Sequence, residues 1–126
     1  MARFGELEAA IMDAVWGAGR SLRVREVLER LERDPEPAYN TVHTVTEILH
    51  RKGWLSKEKD GRAYRYGPTK SREEYIAGLM GEALAVAEDR TATLARFVQQ
   101  MPPGEAEELH RLLGQAVARE AGEASK

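Results

Sequence analysis

Only one stretch of this chain reads as β-structure, and it is a single hairpin. Trp54–Glu58 and Arg62–Tyr66 are short strand-like runs on either side of Lys59-Asp60-Gly61, and Asp-Gly is a strong hairpin-turn signal. A two-stranded hairpin is at best marginally stable in water, so this one must lie on helices. Three helical segments precede it. Gly5–Trp16 places Leu7, Ala10, Ile11, Ala14 and Val15 at i, i+3, i+4, i+7 and i+8, widened by Met12 and Trp16, and Gly17-Ala18-Gly19 ends it. After an extended Ser21–Arg23, a second helix is expected over Val24–Arg33, with Val24, Val27, Leu28 and Leu31 on one face. Asp34-Pro35-Glu36-Pro37 forces a turn, because proline lacks an amide donor and restricts the residue before it. A third helix is expected from Ala38 to the stop at Gly53. Its inner face is Val42, Val45, Ile48 and Leu49, and Asn40, His43, Thr44, Glu47 and Arg51 share the opposite one.

The predicted fold is mostly α with a small β-hairpin: a winged helix-turn-helix over residues 1–70, then a helical dimerisation region over 71–126. In the second part Ser71 opens a helix with Glu74 three residues on, the capping-box spacing. Tyr75, Ile76, Leu79, Met80 and Leu84 give it an apolar stripe. A shorter helix follows over Thr91–Met101 with Leu94, Phe97 and Val98, and Pro102-Pro103-Gly104 breaks it. The last runs from Glu105 to Arg119 with Leu109, Leu112 and Leu113, and the tail from Ala121 is expected to fray. Residues 71–126 are too few to bury these wide stripes alone, so a second copy of the chain is the expected cover.

Charge divides along the same line. Residues 1–70 hold 13 basic and 11 acidic side chains, residues 71–126 hold 6 and 10, and residues 39–70 alone hold 7 and 3. A locally basic segment on an acidic chain suits a polyanion at one face. Helix-turn-helix architecture lays its second helix in the major groove of double-stranded DNA. Asn40, Thr41, His43 and Thr44 sit on the first two turns of that helix. Asparagine can read adenine with two hydrogen bonds, a threonine methyl can meet a thymine methyl, and histidine can donate to guanine. Arg51 lies at the far end, better placed for phosphate, and the wing carries Lys57, Lys59, Arg62 and Arg65. Arg62, Tyr64 and Tyr66 alternate with Ala63 and Arg65, so the two arginines need not face the same way. Asn, Thr and His also occur as plain surface residues. Their combination with a hairpin, a basic wing and a proline-bearing turn selects the DNA reading. Glu47 on the same face either accepts from cytosine or, the favoured reading, pairs with Arg51 at i+4.

Other chemistries find little. With no cysteine the chain has no disulfide, thiolate metal site or cysteine nucleophile, and none of its serines sits in a nucleophile-elbow context. No enzyme activity and no cofactor are expected. His43, Glu47 and His50 share a helical face, but not at the spacing of zinc hydrolases, so no metal site is assigned. The N-terminus lacks an apolar signal core and no apolar run reaches about 18 residues, so a cytoplasmic chain with no membrane insertion is expected. The remaining rival is a winged-helix module that binds protein or RNA. Such a surface is expected to carry exposed aromatics or methionine where this chain has Asn40, Thr41, His43 and Thr44.

Four strings together resemble the penicillinase-repressor family (the BlaI/MecI type), β-lactam-responsive winged-helix repressors, over nearly the full length. They are Glu8–Trp16, Tyr39–Val45, Leu49 with Lys52–Leu55, and Arg62–Tyr66 with Pro68. The resemblance implies base contacts from Thr41 and Thr44, and Tyr39 beside them is counted with the DNA-binding residues. It also implies homodimerisation through the C-terminal helices and a palindromic operator. It further implies inactivation by a membrane sensor-protease at the bond before a phenylalanine, here Arg96–Phe97, where the best-known members have Asn in place of Arg96. The copper-responsive CopY branch is similar but binds metal through C-terminal cysteines, which this chain lacks.

Overall fold

A computed structural model describes residues Arg3–Ala124; Met1, Ala2, Ser125 and Lys126, and with them the ends of the expected signal-free N-terminus and frayed tail, lie outside the described residues. The elements run α1 (Glu6–Ala18), α2 (Val24–Arg30), α3 (Tyr39–Arg51), β1 (Leu55–Asp60), β2 (Ala63–Pro68), α4 (Arg72–Ala85), α5 (Arg90–Gln99) and α6 (Pro103–Ala124). The chain divides into two compact units between Glu82 and Ala83.

In the first unit α1 begins at Gly5, whose amide donates to Glu8 Oε1 at 3.1 Å, and Gly19 closes it at φ 68°. It buries Ile11, Met12 and Val15. Leu22 then pairs with Tyr66 through two backbone hydrogen bonds of 2.8 Å, so a one-residue third strand covers the edge of β2. The second helix stops at Arg30, short of the expected Arg33. Leu31 leaves the helix with extended backbone (φ −83°, ψ 107°) and enters the core, 7% exposed. The connection from α2 to α3 therefore spans residues 31–38, longer than the tight turn expected.

Val42, Thr46 and Leu49 form the buried face of α3. The Thr46 hydroxyl is satisfied inside the helix by donating to the Val42 carbonyl at 2.7 Å. Gly53 turns the chain at φ 89°. The hairpin is tighter than its pattern implied. Asp60 pairs with Ala63, leaving Gly61-Arg62 as the two-residue loop. Gly61 takes the one central position that needs a positive φ (66°), which puts Arg62 at the tip. Leu55 and Tyr66 drop from the hairpin into a core shared with α1, α2 and α3.

Tyr75 also belongs to this unit. Its ring stacks on Phe4 at 4.2 Å, Trp54 meets it edge-on at 5.2 Å, and its hydroxyl accepts from the Phe4 amide at 2.9 Å. It is buried, and this corrects its expected place on the dimer face. The expected capping box of α4 is present: the Glu74 amide donates to Ser71 Oγ at 3.0 Å and the Ser71 amide to Glu74 Oε1 at 3.1 Å.

In the second unit Asp89 caps α5 by accepting from the Ala92 amide at 3.0 Å. The last helix starts at Pro103, where the missing amide costs nothing, and stays helical to Ala124, past the expected end at Arg119. Neither α5 nor α6 buries a residue. No helix among the described residues is long and apolar enough to cross a membrane.

Candidate nucleic-acid interface

The core turns one face of α3 outward. Tyr39, Asn40, Thr41, His43 and Thr44 are all exposed on its first turns, and Arg51 is exposed at its end. Among the described residues the side chains of Asn40, Thr41 and Thr44 make no hydrogen bond within the chain, so their donors and acceptors face outward uncommitted. Tyr39 stacks on His43 with 6.2 Å between ring centroids, and the Arg25 guanidinium lies 5.4 Å from the Tyr39 ring. A cleft of about 450 Å³ opens here, between the N-terminal ends of α2 and α3 and the wing, bounded by Arg23, Arg25, Tyr39, His43, Arg62 and Tyr64.

The cations around this face fall into two groups. Arg25, Arg51, Lys59 and Arg62 are exposed and form no ion pair among the described residues. Arg23, Lys57 and Arg65 are committed within the chain. Arg65 Nε donates to Asp60 Oδ2 at 2.6 Å, and its Nη1 reaches Glu26 Oε1 at 3.4 Å and the Ser21 carbonyl at 3.3 Å. Arg23 Nη2 meets the same Asp60 oxygen at 2.8 Å. The hydrogen bonds from Arg23 and then Arg65 lower the Asp60 carboxyl from its ordinary value. Arg65, expected at the DNA, thus ties the wing to α2, because alternation along β2 turns it to the face opposite Tyr64 and Tyr66. Arg25 was missed by the sequence reading. It sits one residue past the start of α2, and only the packing of α2 beside α3 brings it over Tyr39.

Glu47 is a second correction. It neither pairs with Arg51 nor projects outward, but points sideways to the hairpin. Its Oε1 lies 2.8 Å from Lys57 Nζ and accepts the Tyr66 hydroxyl proton. Those two hydrogen bonds, Lys57's first, lower the Glu47 carboxyl from its ordinary value against the opposing effect of burial. Burial, then the Glu47 hydrogen bond, pushes the Tyr66 phenol well above its ordinary value, so it stays protonated and donates. Lys57 Nζ also stands 4.3 Å from the centre of the Tyr64 ring. The imidazole of His50 is engaged elsewhere, its Nδ1 2.9 Å from the Leu55 carbonyl. No cluster of three or more metal-ligating side chains occurs among the described residues.

Three helices, a strand-edged hairpin and an uncommitted polar helix face flanked by free guanidinium and ammonium groups define a winged-helix DNA-binding regulator of transcription. The penicillinase repressor family model matches residues 4–115. The transcriptional regulator BlaI of Mycobacterium tuberculosis, in strains CDC 1551/Oshkosh and ATCC 25618/H37Rv, is 41% identical over 121 residues, covering 94% of this chain and 88% of the relative. Among solved structures, the DNA-binding domain of the repressor BlaI matches with a TM-score of 0.50 at 26% identity, over 58% of this chain and 88% of that one. The transcriptional regulator Tm0710 from Thermotoga maritima matches with a TM-score of 0.50 at 18% identity, over 94% and 77%, a likeness of fold alone. The chain belongs to the penicillinase repressor family, whose members are transcriptional regulators and not enzymes.

Proposed function

We propose that this protein is a homodimeric repressor that binds a palindromic operator in double-stranded DNA, with α3 in the major groove and the wing tip on the phosphate backbone. The observation that carries the reading is the exposed α3 face: Asn40, Thr41 and Thr44 without a side-chain hydrogen bond and His43 stacked on Tyr39, with Arg25, Arg51, Lys59 and Arg62 around them free of ion pairs among the described residues. The first group has the chemistry to read base edges and the second to contact phosphate. The name of the Mycobacterium tuberculosis relative, a transcriptional regulator, supports the same reading.

Dimerisation is supported by the apolar side chains that the second unit leaves open. Leu94, Phe97, Val98, Leu112 and Leu113 are each close to half exposed, and α5 and α6 bury nothing. Two-fold symmetry then pairs two half-sites about one helical turn, or a simple multiple of it, apart. Release in the cytoplasm by a membrane sensor-protease at Arg96–Phe97 completes the proposal. That bond lies on exposed α5, where Phe97 is part of the open apolar face. Blotting for a shortened chain after β-lactam exposure tests the release step, and full derepression with an intact chain overturns it.

The decisive experiment on the main reading compares Thr44→Ala with the parent on operator and on random DNA. We expect specific binding to weaken by roughly 1–3 kcal/mol with little change on random DNA. Equal losses on both would assign Thr44 to backbone positioning. A parent chain that binds no operator specifically, with a flat salt profile, would favour a protein partner instead.

A further inference from the structure

We propose that Glu47 is a positioning residue: its carboxylate, held between Lys57 and Tyr66, locks the wing to the recognition helix and so sets where the wing meets the DNA backbone. The inference rests on the DNA-binding reading above and adds the device that holds its two contacts in register.

An acid in the middle of a helix presented to DNA opposes phosphate, so its presence calls for a compensating role. Glu47 is not presented to solvent as His43 and Thr44 are. Its side chain is 22% exposed and that of its partner Lys57 is 25% exposed. Lys57 and Tyr66 are directly opposed in the β1–β2 register, so both project from the hairpin face that meets α3. Glu47 therefore touches both strands with one carboxylate. Tyr66 is buried at 1% exposure, and its hydroxyl has Glu47 as its acceptor. Taking that acceptor away leaves a buried donor unsatisfied or forces the strand to shift.

The wing has a second polar anchor, but it leads elsewhere. Asp60 joins Arg23 and Arg65, which tie the hairpin to α2. His50 Nδ1 also links α3 to the Leu55 carbonyl of β1, but among the described residues Glu47 is the polar side chain of α3 that reaches both strands. From it the contact extends toward the tip, because Lys57 also lies against the Tyr64 ring. Pairing with Glu47 leaves Lys57 unavailable for phosphate, so the wing's DNA contacts fall to Lys59 and Arg62, two and five residues further along the hairpin.

The test uses the full chain and an operator fragment chosen by selection from random DNA. Glu47→Ala, Arg62→Ala and the double variant are titrated against it, with hydroxyl-radical and dimethyl sulfate footprints of each complex. Glu47→Ala is expected to weaken binding on the order of tenfold per half-site, about a hundredfold for the dimer, the scale of one lost charge-assisted contact in each half. Backbone protection beneath the wing should vanish while guanine N7 protection in the major groove persists. Because Glu47→Ala already releases the wing and with it the Arg62 contact, the double variant should bind no worse than Glu47→Ala alone. Losses that multiply, a footprint lost as a whole, or tighter binding from removal of a repelling charge would each overturn the proposal. Should Glu47→Ala fail to fold, Lys57→Met breaks the same clamp from the other side and must give the same non-additivity. An Arg62→Ala chain that binds like the parent would sink the wing contact itself and this proposal with it. A parent without specific binding would sink the DNA reading first.

Discussion

Arg62 and Arg65 stand three residues apart on one hairpin, yet the structure puts them in opposite surroundings, and the roles proposed from these are separable by salt dependence. Arg62 sits at the tip, exposed and without an ion pair. Arg65 is bound to Asp60, Glu26 and the Ser21 carbonyl. On B-DNA each neutralised phosphate contributes about 0.9 to the slope of log affinity against log salt. A symmetric dimer loses two contacts when Arg62 becomes Ala, so the slope should fall by about 1.8. Between about 50 and about 200 mM salt that difference amounts to roughly a twelvefold smaller loss of affinity than the parent shows. Arg65→Ala should leave the slope where it is. Its ion pairs are partly exposed and solvent-screened, so their loss should cost at most about 1 kcal/mol of stability and lower the melting temperature by a few degrees. Fluorescence anisotropy of a labelled operator across a salt series, with melts of each free protein, measures both quantities. An Arg65→Ala slope change as large as that of Arg62→Ala would refute the sorting of cations into free and committed.

Three further outcomes follow from named contacts. Phe97→Ala with Leu113→Ala removes two half-exposed apolar side chains per protomer; at about 1 kcal/mol each and four copies per dimer, dissociation should become about a thousandfold easier by sedimentation, while the first unit melts as before. Tyr75→Phe should cost about 1 kcal/mol through the lost acceptor of the Phe4 amide, and Tyr75→Ala about 3 kcal/mol, neither changing the sedimentation mass if Tyr75 lies in the core and not on a dimer face. Glu8, with Lys52's hydrogen bond as its main cause, and Glu47, with Lys57's, both have lowered carboxyls. Their contribution to stability is therefore complete above the ordinary carboxylate range and lost as pH falls through the lowered folded values, so melts should drop below about pH 5 and Glu47→Gln should flatten that acid limb.

The order of elements was legible because each carries its own local signal. The i, i+3, i+4 stripe of α1, the Asp-Gly turn and the Ser71–Glu74 cap all lie within one or two turns of chain. What stayed hidden depends on partners far away in sequence. The stripe of α4 marks Tyr75 as apolar-facing but cannot say that its partner is Phe4, 71 residues earlier. The i+4 rule offered Arg51 to Glu47. The packing of the hairpin against α3 instead supplied Lys57 and Tyr66, the latter 19 residues on. Alternation already hinted that Arg62 and Arg65 face differently, and the register settled which of them reaches the tip. Arg25 carried no signal at all, since nothing in α2 says which of its charges will lie beside α3.

The recognition helix itself is a weak helix former. Its segment Tyr39–Arg51 contains three threonines, two valines, an isoleucine and an asparagine, residues that lose side-chain freedom in a helix or compete with it. At 13 residues it would be marginal alone. Its helicity comes from Val42, Thr46 and Leu49, all fully buried. The threonines also serve the outward face. A β-branched side chain is stiff about χ1, so Thr41 and Thr44 have little conformational freedom to lose on meeting a base. The surface proposed to read DNA is thus ordered by the core beneath it, and a core lesion such as Leu49→Ala should lower the amount of binding-competent protein while leaving operator preference in the folded fraction intact. A changed preference would mean that α3 can be reshaped without unfolding, against the packing seen here.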